Sequence, residues 1–468
     1  MHTAPAFDAA LLARHDRPGP RYTSYPTAPQ FHSGFSAADL RAQIARGNGD
    51  PLPRPLSLYV HVPYCLSPCF YCGCNRVVTR DKGRSVALVA RLKREIGLLS
   101  PLFDRDRQVL QLHFGGGTPN FLTPEQLGEI LETLARSFTL AAADRDFSIE
   151  LDPRTLDPDG VAKLSALGLN RASLGVQDFD PLVQRAVNRL QDRQQTLELI
   201  AACRSAGLQS VNVDLIYGLP QQTLEGFGRT LDHVLQARPD RLAIYGYAHL
   251  PQKFRAQRQI DAAELPDPAL RLALLGLAIE RLVGAGYQYI GMDHFALPDD
   301  PLAIAQRAGR LQRNFMGYTT HGGCDLLGFG PSAISHIDQS YCQNWRELKA
   351  WEAAVDGGGI PLWGGMQLNA DDQIRAAVIQ QLMCHGQIDT AGIAAQHGIE
   401  FQSYFDSALT RLEALRAEGL VEVDAQCIRA TDRGRLLLRT IAMCFDRYLH
   451  APVALATPPV LPQYSQAI

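Results

Sequence analysis

Three thiols stand within eight residues at Cys65-Leu66-Ser67-Pro68-Cys69-Phe70-Tyr71-Cys72. Thiolates this close together can converge on one metal centre, whereas an odd number of cysteines does not resolve into disulfides. A structural zinc takes four protein ligands, which would recruit Cys74 or His61 as the fourth. An iron–sulfur cube held by three thiolates instead leaves one iron open to the oxygen and nitrogen donors of a small molecule. At this point both metals remain open. Of the ten cysteines, the six at 203, 324, 342, 384, 427 and 444 lie scattered in ordinary context and read as buried free thiols.

The apolar run from Leu56 to Val62 reads as a strand that delivers these thiols on the loop at its end. Strands and helices then alternate. A helix is predicted over 84–99, and Val109 to Phe114 extend into Gly115-Gly116-Gly117-Thr118-Pro119. The next helix opens on a capping box, Thr123-Pro124-Glu125-Gln126. Further strands cover Phe147 to Leu151, Ala172 to Gln177, Val211 to Tyr217 and Leu242 to Tyr247, with helices near 159–166, 192–205 and 223–236 between them. Six strands with helical crossovers demand a parallel sheet, either doubly wound or an incomplete barrel. Tyr59 and His61, glycines 115 to 117, Glu150, Gln177, Asp214 and the segment Tyr245 to His249 all fall at or near carboxyl ends of these strands. That is the edge where parallel α/β folds bind ligands. The glycine run lacks the lysine of a nucleotide-binding P-loop, but free backbone groups there suit the ends of an amino acid. Arg189 offers a planar fork for a carboxylate.

Around this core lie less regular pieces. Arg17 to Thr27, rich in proline and aromatics, reads as an extended arm packed across a surface, followed by a short helix over 36–46 with Ser36 as its cap. An apolar helix is predicted over 269–284. The aromatic and polar stretches Tyr287 to Phe295 and Arg313 to Thr320, with Leu327 to Ile334, are expected to close one side of the cavity; His294 reads as an internal hydrogen-bonding residue. From about 365 the texture becomes helical with a small hairpin around Asp424-Ala425, a winged-helix-like packing or lid domain with too few basic residues for DNA. Ala451 to Pro462 reads as extended. The 468 residues, 46% hydrophobic, suit two or three globular domains. Forty-five Lys plus Arg against 48 Asp plus Glu leave a net charge of −3, which argues against a nucleic-acid or membrane-surface partner. With no signal-peptide pattern and no eighteen-residue apolar run, a cytoplasmic location is expected.

The spacing C-x3-C-x2-C with an aromatic before the last cysteine resembles the signature of radical S-adenosylmethionine (SAM) enzymes. Along nearly its full length the chain resembles the oxygen-independent coproporphyrinogen III oxidases. The resemblance is carried by Gly19 to Thr27, Cys72-Gly73-Cys74-Asn75, His113 to Pro119, Gly175 to Phe179, Asn212 to Pro220, Tyr247 to Pro251, Gly291 to Phe295 and Asn314 to Thr320. It implies an α/β fold: a partial (β/α)6 TIM-like barrel with an N-terminal arm (1–50), the radical SAM core with its extension (51–360) and a mainly helical C-terminal domain (361–468). It implies a [4Fe–4S] cluster on Cys65, Cys69 and Cys72 with one open iron, and two SAM molecules. Cofactor contacts are implied at Tyr59, Tyr71, Gly116, Gly117, Thr118, Glu150, Gln177, Arg189, Asp214, Ala248 and Ile334, and catalytic roles at Tyr59, Glu150, Phe315 and Ile334. The implied reaction turns two propionates of coproporphyrinogen III into vinyls by hydrogen abstraction with a 5′-deoxyadenosyl radical. An electron donor, a terminal acceptor and a monomeric chain are expected with it. Met316 departs from the family, which often carries glutamine there near the second SAM. Arg21 on the arm is expected to meet one of the substrate's four carboxylates. Two rivals are a haem chaperone sharing the cluster loop, which lacks both the Gly19 to Thr27 arm and the Cys-Gly-Cys-Asn sequence, and a zinc-bound scaffold.

Overall fold

The strand leading to the cysteines, Leu56–Val62 (β1), is buried at six of its seven positions, the pattern of a parallel strand covered on both faces. In the computed structural model, which describes residues 5–450 and Tyr464, it joins five further strands. These are Gln108–Gly116 (β2), Asp146–Leu151 (β3), Arg171–Gln177 (β4), Ser210–Tyr217 (β5) and Arg241–Gly246 (β6). They pair in parallel in the order β6-β5-β4-β3-β2-β1. Parallel neighbours need long crossovers, and the helices Arg84–Leu99, Pro124–Ser137, Pro158–Ala166, Arg193–Ser205 and Leu224–Ala237 supply them. These match the expected spans to within about two residues, as helix ends do.

On its other side β1 pairs in parallel with Asp325–Phe329 (β7). The sheet then runs antiparallel through Ile334–Ile337 (β8), Ser340–Asn344 (β9) and Leu362–Gln367 (β10). The capping box forms as predicted: the Gln126 N–H donates to Thr123 Oγ1 and the Thr123 N–H to Gln126 Oε1. Ser36 caps Ala37–Asn48 in the same way with Asp39. Glu95 lies fully buried on the first crossover helix and accepts from the Gly330 N–H at 2.8 Å, Asn344 Nδ2 at 2.7 Å and Trp351 Nε1 at 3.1 Å. Burial outweighs these donors and pushes its pKa up to about 7.

Two compact units emerge: Phe31–Pro266 with Gly323–Gln367, and Met1–Gln30 with Asp267–Gly322 and Leu368–Ile468. Each therefore draws residues from both sides of the boundaries at 50 and 360. The reason in the second unit is a shared core, where Leu11, Leu12, Tyr22 and Tyr25 pack with Val378, Leu382, Phe405, Leu412, Ile441 and Phe445. The arm is a strap tied down by polar contacts. Tyr22 donates to Asp446 at 3.0 Å, the Arg447 N–H donates to Tyr25 at 3.0 Å, and Arg439 donates to the carbonyls of Gly19 and Pro20.

In this unit the hairpin around Asp424 gains a third strand, because Gln387–Asp389 pairs with Cys427–Ala430, itself paired with Val421–Val423. A three-residue strand carries no alternation long enough to announce itself. Arg21 pairs with Asp293. A second short hairpin pairs Gln312–Asn314 with Gly317–Thr319 and sets Arg313 opposite Tyr318. The Arg313 guanidinium lies 4.7 Å from the Tyr318 ring centre, buried, with Nε and Nη1 bonded to nothing. The extended reading of Ala451 to Pro462 lies outside the described residues. Among the described residues no helix is long and apolar enough to cross a membrane.

Candidate functional site

The carboxyl ends of β2 to β6 and the loop after β1 line a cavity of about 270 Å³. Cys65, Cys69, Cys72, Tyr71, Gly116, Gly117, Thr118, Glu150, Gln177, Arg189 and Asp214 all line it, whereas Tyr59 and His61 from the strand-end reading do not. Cys74, Arg76, Asp152, Arg154, Ser173 and Tyr245 line it too.

The cysteine loop is pinned from the β4 side. The Phe70 N–H donates to the Val187 carbonyl at 2.9 Å, and Asn188, with a left-handed φ of 52°, donates from Nδ2 to the Pro68 carbonyl at 2.7 Å. Each thiol meets a donor. Thr118 Oγ1 donates to Cys65 Sγ at 3.3 Å, Arg189 Nη1 to Cys69 Sγ at 3.4 Å, and the Cys74 N–H to Cys72 Sγ at 3.3 Å. A hydrogen bond from the Cys74 side chain, aided by Arg76 and opposed by burial, pulls the Cys72 pKa down and favours the thiolate. Burial pushes the Cys65 thiol up to about 11. Among the described residues no group of three or more His, Cys, Asp or Glu is arranged around a single ion. A cube places each thiolate on a different iron, so the donor set of three sulfurs ringed by N–H and O–H groups suits a cluster.

Glycine is required on the opposite wall. A Cβ on Gly117 would meet the Pro63 carbonyl oxygen at 2.8 Å, and Gly116, at φ 114°, would drive one into the His61 ring at 2.6 Å. The freed Gly116 N–H donates to Glu150 Oε2 at 3.1 Å. Burial opposes the charge on Glu150, but His113, that N–H and His61 outweigh it and its pKa is lowered. Asp214 differs. Burial, reinforced by the charge of Glu150, raises it to about 6, although Asn212 and Ser173 donate to it at 2.7 and 3.1 Å. Glu150 thus ionises more readily than Asp214. Gln177 holds a left-handed φ of 69° where the β4–β5 register slips, which re-aims its side chain at the end of the strand.

The other predicted residues are placed differently. Tyr59 stands behind the wall, stacked 5.9 Å from His113 with its hydroxyl 3.1 Å from His61 Nδ1. Ala248 contributes its carbonyl, which accepts from Gln257 Nε2 at 3.1 Å while the same amide donates to the Tyr71 carbonyl at 2.9 Å. Ile334 opens β8 just past the turn that ends β7 and is not among the residues lining the cavity. Phe315 belongs to the other compact unit, at the tip of the 312–319 hairpin. Sequence reasoning missed Asp152, Arg154, Arg76 and Gln257. Asp152-Pro153-Arg154 reads as an ordinary turn, and Gln257 reaches the site across 186 positions from Tyr71.

The chain is similar to known proteins along most of its length. The family model described as "Radical SAM superfamily" matches residues 59–234, and "HemN C-terminal domain" matches 368–437. The chain is 50% identical over 448 residues to the "Oxygen-independent coproporphyrinogen III oxidase" of Pseudomonas aeruginosa, covering 95% of this chain and 96% of that protein. It is 48% identical to the protein of the same name from Escherichia coli, again covering 95% and 96%. A solved structure described as "Coproporphyrinogen III oxidase (HemN) from Escherichia coli is a Radical SAM enzyme" superposes with a TM-score of 0.91 at 46% identity, covering 95% of this chain and all of that one.

Proposed function

This chain belongs to the oxygen-independent coproporphyrinogen III oxidases of the radical SAM superfamily, and from that premise we propose that it decarboxylates two propionates of coproporphyrinogen III to vinyls, giving protoporphyrinogen IX in haem biosynthesis. The superfamily works with a [4Fe–4S] cluster and SAM. When bound, they supply a carbon-centred radical able to take an inert hydrogen from a propionate β-carbon.

In this reading Cys65, Cys69 and Cys72 hold the cluster, while Cys74 stays a donor to Cys72. Gly116, Gly117, Thr118 and Glu150 receive the amino-acid end of SAM, and Tyr71 lies against its adenine. Gln177, Arg189, Asp214, Ala248 and Ile334 complete the contacts. Tyr59, Glu150, Phe315 and Ile334 orient the reacting groups and keep water out. A second SAM lies beside the first and meets apolar Met316. Residues 51–360 act as the radical SAM core, 1–50 as an N-terminal arm and 361–468 as a packing or lid domain. A cytoplasmic monomer, served by a separate one-electron donor and a terminal acceptor, completes the reading.

For the substrate carboxylates we favour Arg313 over Arg21. Arg21 is already neutralised by Asp293, whereas Arg313 is a buried cation with two unused N–H groups, and buried charges are normally paired.

The observation that carries the proposal is the convergence on one cavity of three thiols, a glycine wall and the set Glu150, Gln177, Arg189 and Asp214. Its test is anaerobic turnover of coproporphyrinogen III with SAM and a reductant. Vinyl product and 5′-deoxyadenosine should form together; deoxyadenosine without vinyl product would keep the radical chemistry and reject the substrate.

A further inference from the structure

The three sulfurs of the cysteine loop are not equivalent. Cys65 Sγ accepts a neutral hydroxyl, from Thr118 at 3.3 Å. Cys72 Sγ accepts a backbone N–H at 3.3 Å, with Arg76 and Cys74 also bearing on it. Cys69 Sγ faces two guanidinium groups, Arg189 Nη1 at 3.4 Å and Arg154 Nη2 at 3.7 Å.

The two arginines differ in how firmly they are held. Asp152 takes Arg154 in a fork, accepting from Nε at 2.9 Å and Nη2 at 2.6 Å, and also accepts the Arg154 backbone N–H at 3.1 Å. Asp152 is itself clamped, since Asn120 accepts its N–H at 2.9 Å and donates to its carbonyl at 3.0 Å. Arg154 therefore cannot swing from Cys69 without breaking a bidentate pair. Arg189 is shared between Cys69, the Gly175 carbonyl at 2.5 Å and Asp152 at 3.5 Å, and it is the arginine assigned above to SAM.

We propose that Arg154 sets the reduction potential of the cluster through Cys69. Reduction brings one electron from an external one-electron donor onto the cube, taking it from the 2+ to the 1+ state with no bond made or broken. A fixed cation donating to a ligand sulfur stabilises the added negative charge and raises the potential. The inference rests on the three-cysteine cluster of the proposed function.

The test is a titration of full-length, anaerobically reconstituted protein with dithionite, without SAM, followed by the electron paramagnetic resonance of the reduced cluster. In Arg154→Gln the midpoint should move to more negative potential with iron and sulfide per chain unchanged. Arg154→Lys, which keeps the charge and loses the fork, should move it less. A midpoint that stays put or turns more positive in a fully loaded variant overturns the inference. So does loss of the cluster in both variants, which would make Arg154 a holding residue. A wild-type protein that assembles no four-iron cluster would instead sink the proposed function, so the two failures are told apart.

Discussion

Beside Cys69 and on the 312–319 hairpin the protein buries guanidinium groups in opposite ways. Arg154 and Arg189 share Asp152 and a sulfur, so both have a carboxylate built into the same unit, although Arg189 Nε bonds to nothing. Arg313 has the face of Tyr318 and two N–H groups bonded to nothing. A cation–π contact is worth about 2 kcal/mol when desolvated, less than the desolvation of a charge costs. In the first region the charge is balanced locally by Asp152; in the second, among the described residues, no carboxylate meets the guanidinium. In the proposed roles the paired cation tunes a sulfur already present, and the unpaired one receives a carboxylate.

The comparison breaks most sharply at the sulfurs. Replacing Cys65, Cys69 or Cys72 singly by Ala should abolish the cluster, read as loss of bound iron and acid-labile sulfide, whereas Cys74→Ala should retain it. Next comes Arg313→Met. Losing charged hydrogen bonds to a carboxylate should weaken binding of coproporphyrin III, followed by its fluorescence, by about 1.5–3 kcal/mol, roughly tenfold to 150-fold. Its Tm should hold or rise, since an unpaired buried charge has been removed; a clear fall in Tm would make Arg313 a packing residue instead.

Glu95 puts the same question to a buried carboxylate. Its folded pKa of about 7 exceeds the ordinary 4.5, so the native state binds more protons than the unfolded chain. Stability from this group is therefore present at low pH and falls by roughly 2–3 kcal/mol as pH rises from about 4.5 to 7. Thermal melts across that range should show the fall, and Glu95→Gln should flatten it. The smallest effect is expected from Arg21→Met. Arg21 is 36% exposed, so stranding Asp293 should cost only about 1–2 kcal/mol of stability after allowing for solvent screening, measured by denaturant titration.

Much of the site was legible before the structure. The cysteine spacing, the glycine run and the polar residues at strand ends depend on local pattern, and a parallel sheet brings strand ends together without further information. Thr123 and Ser36 capped as read because capping is a three-residue affair. What stayed hidden was long-range. Nothing around Arg154 says it will reach a sulfur 85 positions away, nothing around Arg21 names Asp293 as its partner, and nothing in Leu11 or Tyr25 says they will share a core with Phe445. Those pairings exist only once distant segments are packed.

Gln257 ties the Tyr71 carbonyl and the Ala248 carbonyl with the two hydrogens of one amide. The aromatic that lies beside the thiols and the backbone just after β6 are thus yoked to a single crossbar. Air that destroyed the proposed cluster and loosened the Cys65 to Cys72 loop would pull on that crossbar and slacken the backbone at Ala248 as well. In the proposed arrangement, oxygen damage should therefore announce itself twice, as bleaching at the sulfurs and as a loosened backbone at Ala248.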